Sequence, residues 1–318
     1  MGLSYIHIRK LALRCNLRTI CRVCCIGGMS ATLASAQPPS TPTASQAAPS
    51  VNLNITPKRV VLDRGTRVGT VYIFNQGNVA TTFDVTYVER IMLPDGQIKP
   101  VSEANEDAAL QPIVKKLQSA QPFLAATPRR VTLAPGKGQT IRIRSTQPGT
   151  DAGEYRSHLT VTSLPPREAG VTADQVGAEQ GNQLSFRITS SFGISIPVIL
   201  RTAPKDVKGA LNNVGVSYAN LSSNGYAPAN RTPVLTLDIQ RLGASSLYGN
   251  VEVKSGGGKG ANVIGKARGV GVYPEIAARR LMIPLDRMPS AGENLQITFS
   301  DDDSAPGQII AKTVFHVR

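Results

Sequence analysis

The stretch Leu184–Val198, LSFRITSSFGISIPV, constrains the fold most, because Leu184, Phe186, Ile188, Phe192, Ile194, Ile196 and Val198 recur at every second position. The opposite parity holds Ser185, Arg187, Thr189, Ser191, Gly193 and Ser195. Period-two alternation of this kind describes a β-strand with one apolar and one polar face, at roughly twice the usual length. Two readings are open. The strand is a long core strand of a β-sandwich, or part of its apolar edge is spare and completes a partner that lacks a strand.

The rest of the chain surrounds this strand with further β-type runs, among them Asn54–Leu62, Thr66–Asn75, Ala80–Ile91, Arg130–Leu133, Gln139–Ser145 and Arg156–Leu164. Turn residues separate them at Asp63-Arg64-Gly65, Asn75-Gln76-Gly77-Asn78, Pro94-Asp95-Gly96 and Ala134-Pro135-Gly136. Strands at this spacing make an immunoglobulin-like sandwich. After Arg201-Thr202-Ala203-Pro204 a second β series runs from Leu211 to Val317, and Glu103–Gln118, broken by Pro112, reads as a helical or irregular surface excursion. A chain of 318 residues suits two such domains, each with its own core. The expected fold class is therefore all-β, with two immunoglobulin-like β-sandwich domains at 51–201 and 202–318.

Ahead of them, residues 1–36 carry five cations, Arg9, Lys10, Arg14, Arg18 and Arg22, no acid, a weak apolar run and then Ala34-Ser35-Ala36. This is the pattern of a signal peptide with an A-x-A cleavage site, and it predicts export to the periplasm with a mature start near Gln37. Residues 37–50 form a Pro/Ser/Thr/Ala-rich flexible lead. All four cysteines, Cys15, Cys21, Cys24 and Cys25, precede the cut, so the exported chain is expected to hold no disulfide and to rely on its cores.

Catalytic chemistry is not expected. Gly260–Lys266 has phosphate-loop spacing, but Ala267 stands where a Ser or Thr is required and no helix pattern follows. His158 and His316 sit in strand patterns without ligand spacing and read as partly exposed strand residues. Asp301-Asp302-Asp303 lacks the alternating ligands of a calcium loop and reads as a solvated turn. The net charge of +14 is dispersed and not interleaved with aromatics, which argues against nucleic acid as a partner. With 5% aromatic residues and no Trp, the chain also lacks sugar-stacking platforms. The expectation is no enzyme activity, no cofactor, no metal and no small-molecule substrate.

Several short motifs, in order, resemble a known family: Thr56-Pro57-Lys58-Arg59-Val60-Val61, Val71–Asn75, Thr127-Pro128 with Val131–Gly136, Gln139–Ile143, Glu154-Tyr155-Arg156-Ser157 with Leu164-Pro165-Pro166, and Ile199-Leu200-Arg201. Together they are similar to the periplasmic pilus (fimbrial) assembly chaperones of the chaperone-usher pathway. That resemblance implies two immunoglobulin-like domains in a boomerang arrangement, a cleft that receives a pilus subunit, and delivery of the subunit to an outer-membrane usher. It implies that the apolar stripe is a donor strand, with Leu184, Phe186, Ile188, Phe192, Ile194 and Ile196 filling the subunit's groove. It implies that Arg59 anchors the subunit's C-terminal carboxylate, and it places Pro197 where the family has its lysine, a position for which Arg201 or Lys58 could substitute, Lys58 reading otherwise as a solvated surface charge. The alternative reading is a structural or adhesive immunoglobulin-like envelope protein that self-associates through the same edge strand when no client is bound.

Overall fold

A computed structural model describes residues 50–146, 152–165, 191–222, 229–256 and 261–318. Residues from Ala48 onward form one compact unit. The predicted signal segment with its cysteines, most of the flexible lead, and Leu184, Phe186 and Ile188 of the alternating stripe lie outside the described residues.

The first sandwich has two sheets. One contains β1 (Leu53–Thr56), β3 (Val68–Asn75), β9 (Gly138–Ser145) and β7 (Leu124–Thr127), in the order β1-β3-β9-β7. The other contains β2 (Val60–Leu62), β11 (Gly193–Arg201), β10 (Glu154–Ser163), β4 (Thr81–Val88) and β8 (Arg130–Leu133), in the order β2-β11-β10-β4-β8. Alternation drives the packing. Val71 and Ile73 of β3, Ile141 and Ile143 of β9, Phe83 and Val85 of β4, and Ile196, Val198 and Leu200 of β11 all point into one core. Each such fully buried side chain contributes about 1.5–3 kcal/mol.

The predicted single strand Asn54–Leu62 is two strands in two sheets. Pro57 offers no N–H to a ladder, and across Pro57–Arg59 the chain passes from β1, antiparallel to β3, to β2, parallel to β11. Ala80–Ile91 likewise divides into β4 and β5 (Arg90–Met92). The latter pairs with β6 (Ile98–Pro100), a strand not anticipated from sequence. The expected excursion holds only single turns of helix, α1 (Val101–Ala104), a 3-10 turn at Ala108–Leu110 and α2 (Gln111–Val114).

The second sandwich stacks β12 (Gly209–Leu221), β13 (Asn230–Arg241) and β16 (Ala278–Pro284) against β15 (Asn262–Val272), β14 (Leu247–Ser255), β17 (Asn294–Asp301) and β18 (Ile309–His316). Leu235, Leu237 and Ile239 meet Val251, Val253, Ile297 and Phe299 in its core. Met92 and Ile199 of the first sandwich also pack into this second core. The tip of the β5–β6 hairpin docks on the same domain: the Arg280 N–H donates to the Pro94 carbonyl at 2.7 Å. Gly96, at φ +89°, makes this approach feasible, since a Cβ there would fall 2.2 Å from the Arg279 guanidinium.

Three expectations are corrected. His158 is 3% exposed rather than partly exposed, because both faces of β10 are covered. The Asp301–Asp303 run is not a solvated turn: Asp301 is buried with Lys205 at 2.8 Å, and Asp303 is ion-paired. Ile196, expected in a donated stripe, is 2% exposed in its own domain's core, because the stripe faces the opposite sheet along this half of β11.

Candidate functional site

Arg59 leads into β2 and Arg201 ends β11. The parallel pairing of Val60 with Val198 and Leu62 with Leu200 brings the two strands together beside the second sandwich. There both guanidinium groups reach Oδ2 of Asp303, Arg201 at 2.8 Å and Arg59 at 3.4 Å. Both also donate to the Ser246 hydroxyl, at 3.4 and 3.1 Å respectively. Glu154, the cross-strand neighbour of Arg201, accepts from its Nε at 2.9 Å and from the Ser246 N–H at 3.1 Å. Asp303 is held in place by its turn: its N–H donates to Asp301 Oδ1 at 2.9 Å, while Asp301 Oδ2 takes the Ala305 N–H and Lys205.

Burial disfavours the Arg201 charge, yet Glu154 and Asp303 outweigh that penalty and push its pKa up. Its two carboxylates therefore commit Arg201 to the fold. Arg59 is different. Its side chain is 7% exposed and lies over the rings of Tyr248, at 4.6 Å, and Tyr273, at 5.8 Å. Nε and Nη1 have no hydrogen-bond partner. A buried guanidinium with unpartnered N–H groups can donate to further carboxylate oxygens, and leaving such donors empty costs free energy.

Sequence reasoning missed a second pair beside this one. Arg156 of β10 donates to Glu275 through Nη1 at 3.1 Å and Nη2 at 2.5 Å, to the Arg90 carbonyl at 2.8 Å, and stacks 3.8 Å above Tyr273. Glu275 also accepts the Met92 N–H at 2.8 Å. The arginine was visible within Glu154–Ser157, but its carboxylate lies 119 residues away, with no local signal to link them. Near this pair, Pro197 faces His158 across the ladder. The imidazole pKa falls to about 3, through burial first and then the Arg156 and Arg90 charges, so the ring is neutral. Lys58 is exposed and bonded to Asn54 at 3.3 Å, outside the cluster.

The edge of β11 has two halves. At its ends the Ser163 N–H donates to the Phe192 carbonyl and the Thr202 N–H to the Gly153 carbonyl, so the even-numbered residues bond β10. Gly193, Ser195 and Pro197 therefore turn their main-chain groups the other way, where β2 covers only Val198–Leu200. Pro197 sits where no bond to β10 is lost. Among the described residues of the predicted stripe, Phe192 is 42% exposed, Ile194 is half-buried against the core and Ile196 is buried.

No protein-family profile matches the sequence, and no curated protein matches it. Among solved structures, the chain is similar to the Pseudomonas aeruginosa CupB2 chaperone, at 13% identity and TM-score 0.39, over 83% of this chain and 100% of that one. It is similar to the E. coli chaperone DraB at 13% identity and TM-score 0.40, over 84% and 97% of the respective chains. It is also similar to a chain of the Salmonella enterica SafA pilin complex with the SafB chaperone, at 13% identity and TM-score 0.39, over 85% and 99%.

Proposed function

We propose that this protein is a periplasmic chaperone that caps incomplete β-sandwich pilus subunits and hands them to an outer-membrane usher. One observation carries the reading: the β11 edge at Gly193–Pro197, which no strand among the described residues covers, leads toward a buried arginine, Arg59, with two unfilled nitrogens. A subunit lacking its last strand would take main-chain bonds from Gly193 and Ser195, with Phe192 and Ile194 entering its groove, and Leu184, Phe186 and Ile188 continuing the contact. Its terminal carboxylate would sit on Arg59, where desolvation makes a charge-assisted bond strong and directional. Arg201 contributes indirectly, by holding Asp303 and with it one side of the Arg59 guanidinium. Nothing in this role requires bond-making chemistry, and the holder acts without a cofactor.

The test is co-expression with a pilus subunit, followed by light scattering on the purified material. One-to-one complexes that depend on the subunit's free C-terminus support the reading. Homopolymers that grow with concentration and take up no subunit would instead support the self-associating envelope protein.

A further inference from the structure

Among the described residues, the sheet β1-β3-β9-β7 differs from every other large sheet. Its four strands, LNIT, VGTVYIFN, GQTIRIRS and LAAT, contain no Asp or Glu. The other sheets of three or more strands each contain at least one: Asp84 and Glu154, Asp238, or Glu252 and Asp301. Exposed arginines elsewhere divide into ion-paired ones and ones, such as Arg231 and Arg268, in no ion pair among the described residues. Arg130, Arg280 and Arg287 are neutralised by Asp84, Asp238 and Glu293. Arg142 and Arg144 of β9, both exposed, are in no ion pair among the described residues.

Register places these two arginines on a common outward face. Thr70, Arg142 and Thr127 stand side by side across β3, β9 and β7, and Val68 and Ala125 flank Arg144 in the adjoining row. Alternation puts all of them on the face away from the core, since Ile141 and Ile143 between them are buried. An arginine between two hydroxyls offers a guanidinium fork and O–H donors to one tetrahedral oxyanion. Along β3, Val68 is 46% and Tyr72 43% exposed, an apolar and an amphipathic side chain beside the cations. Arg67, also exposed, adds a further charge at the strand's start.

We infer that this face docks the protein on an anionic phospholipid bilayer, its arginines meeting phosphate headgroups. Charge complementarity carries the inference. The only charges on its four strands are the cations Arg142 and Arg144, and these strands hold no carboxylate that would have to be desolvated or repelled at a negative surface. It lies on the opposite sheet of the sandwich from β11, so docking leaves the β11 edge accessible.

Sedimentation with phosphatidylcholine vesicles, with and without phosphatidylglycerol, tests this. The expected result is binding only when phosphatidylglycerol is present, loss of binding on raising salt, and about fivefold weaker binding for each of Arg142→Gln and Arg144→Gln. Lys115→Gln with Lys116→Gln removes two charges, twice that of either arginine variant, from an exposed segment elsewhere and should leave binding unchanged. Equal weakening by this control pair overturns the inference, because net charge and not the face would then be acting. Equal affinity for both vesicle types overturns it, as does binding to polyglutamate but not to vesicles. A second readout does not depend on the arginine variants folding. With the four native cysteines replaced by Ser, an environment-sensitive label on Thr70→Cys should respond to phosphatidylglycerol vesicles, whereas one on Lys312→Cys in β18 should not; the reverse pattern overturns the docking face.

Discussion

Arg156 and Glu275 form a two-bonded ion pair across the two sandwiches, with side chains 2% and 1% exposed. Such a pair is a weak source of net stability but costly to break on one side only, because the remaining charge stays buried. Glu275→Gln should therefore destabilise the protein by about 3–5 kcal/mol, while Arg156→Leu combined with Glu275→Leu should recover much of that loss. Denaturant unfolding of the three proteins checks the ordering. A double variant as unstable as the single one would mean that the Tyr273 stacking and the Arg90 contact matter more than the pair.

Arg59→Ala separates fold from function. Asp303 keeps its 2.8 Å bond to Arg201, so the free protein should lose only about 1–2 kcal/mol, from the Tyr248 stacking and the longer ion pair. Subunit binding should weaken by about 2–5 kcal/mol if a carboxylate is left buried and unpaired. Melting curves and calorimetric titration with a subunit measure the two separately. Undiminished capture would mean that the carboxylate is held elsewhere.

The stripe should divide by position. Ile196→Asp places a charge in the first core and should prevent folding. Phe192→Asp, at a 42% exposed site, should fold and accumulate normally yet fail to protect a co-expressed subunit from degradation. Ile194→Asp, half-buried, should fall between the two. If Phe192→Asp protects the subunit as well as the wild type does, this part of β11 does not enter the subunit's groove.

Acid should weaken the fold through His158. Its folded pKa of about 3 lies below the unfolded value near 6.5. Between those values the unfolded chain binds a proton that the folded chain refuses, so stability is full above pH 6.5 and falls as pH drops toward 3. At pH 5 the loss is about 2 kcal/mol. Glu293, whose carboxyl Arg287 holds down at about 2, contributes only below its ordinary range near 4.5, so the interval from pH 6.5 to 5 isolates the histidine. Unfolding of His158→Gln across that interval should be flatter than that of the wild type.

Much of this protein was legible in its residues. Alternation marked β3, β9, β10 and the core half of β11, because a period of two with β-branched and aromatic residues has few other solutions, and the turn residues divided the chain into two all-β series. Arg59 and Arg201 were found through ordered motifs. Their different fates were decided in three dimensions, since Asp303, which takes both guanidinium groups, lies 244 residues from Arg59 and 102 from Arg201 and reads locally as a solvated turn. The same holds for Glu275 beneath Arg156 and for the burial of His158, which depends on what covers the second face of β10. Period-two alternation states that a strand has two faces. Which face is covered, and by which distant carboxylate a buried cation is met, follows only from how the two sandwiches pack, because burial and charge pairing are properties of neighbours in space and not in sequence.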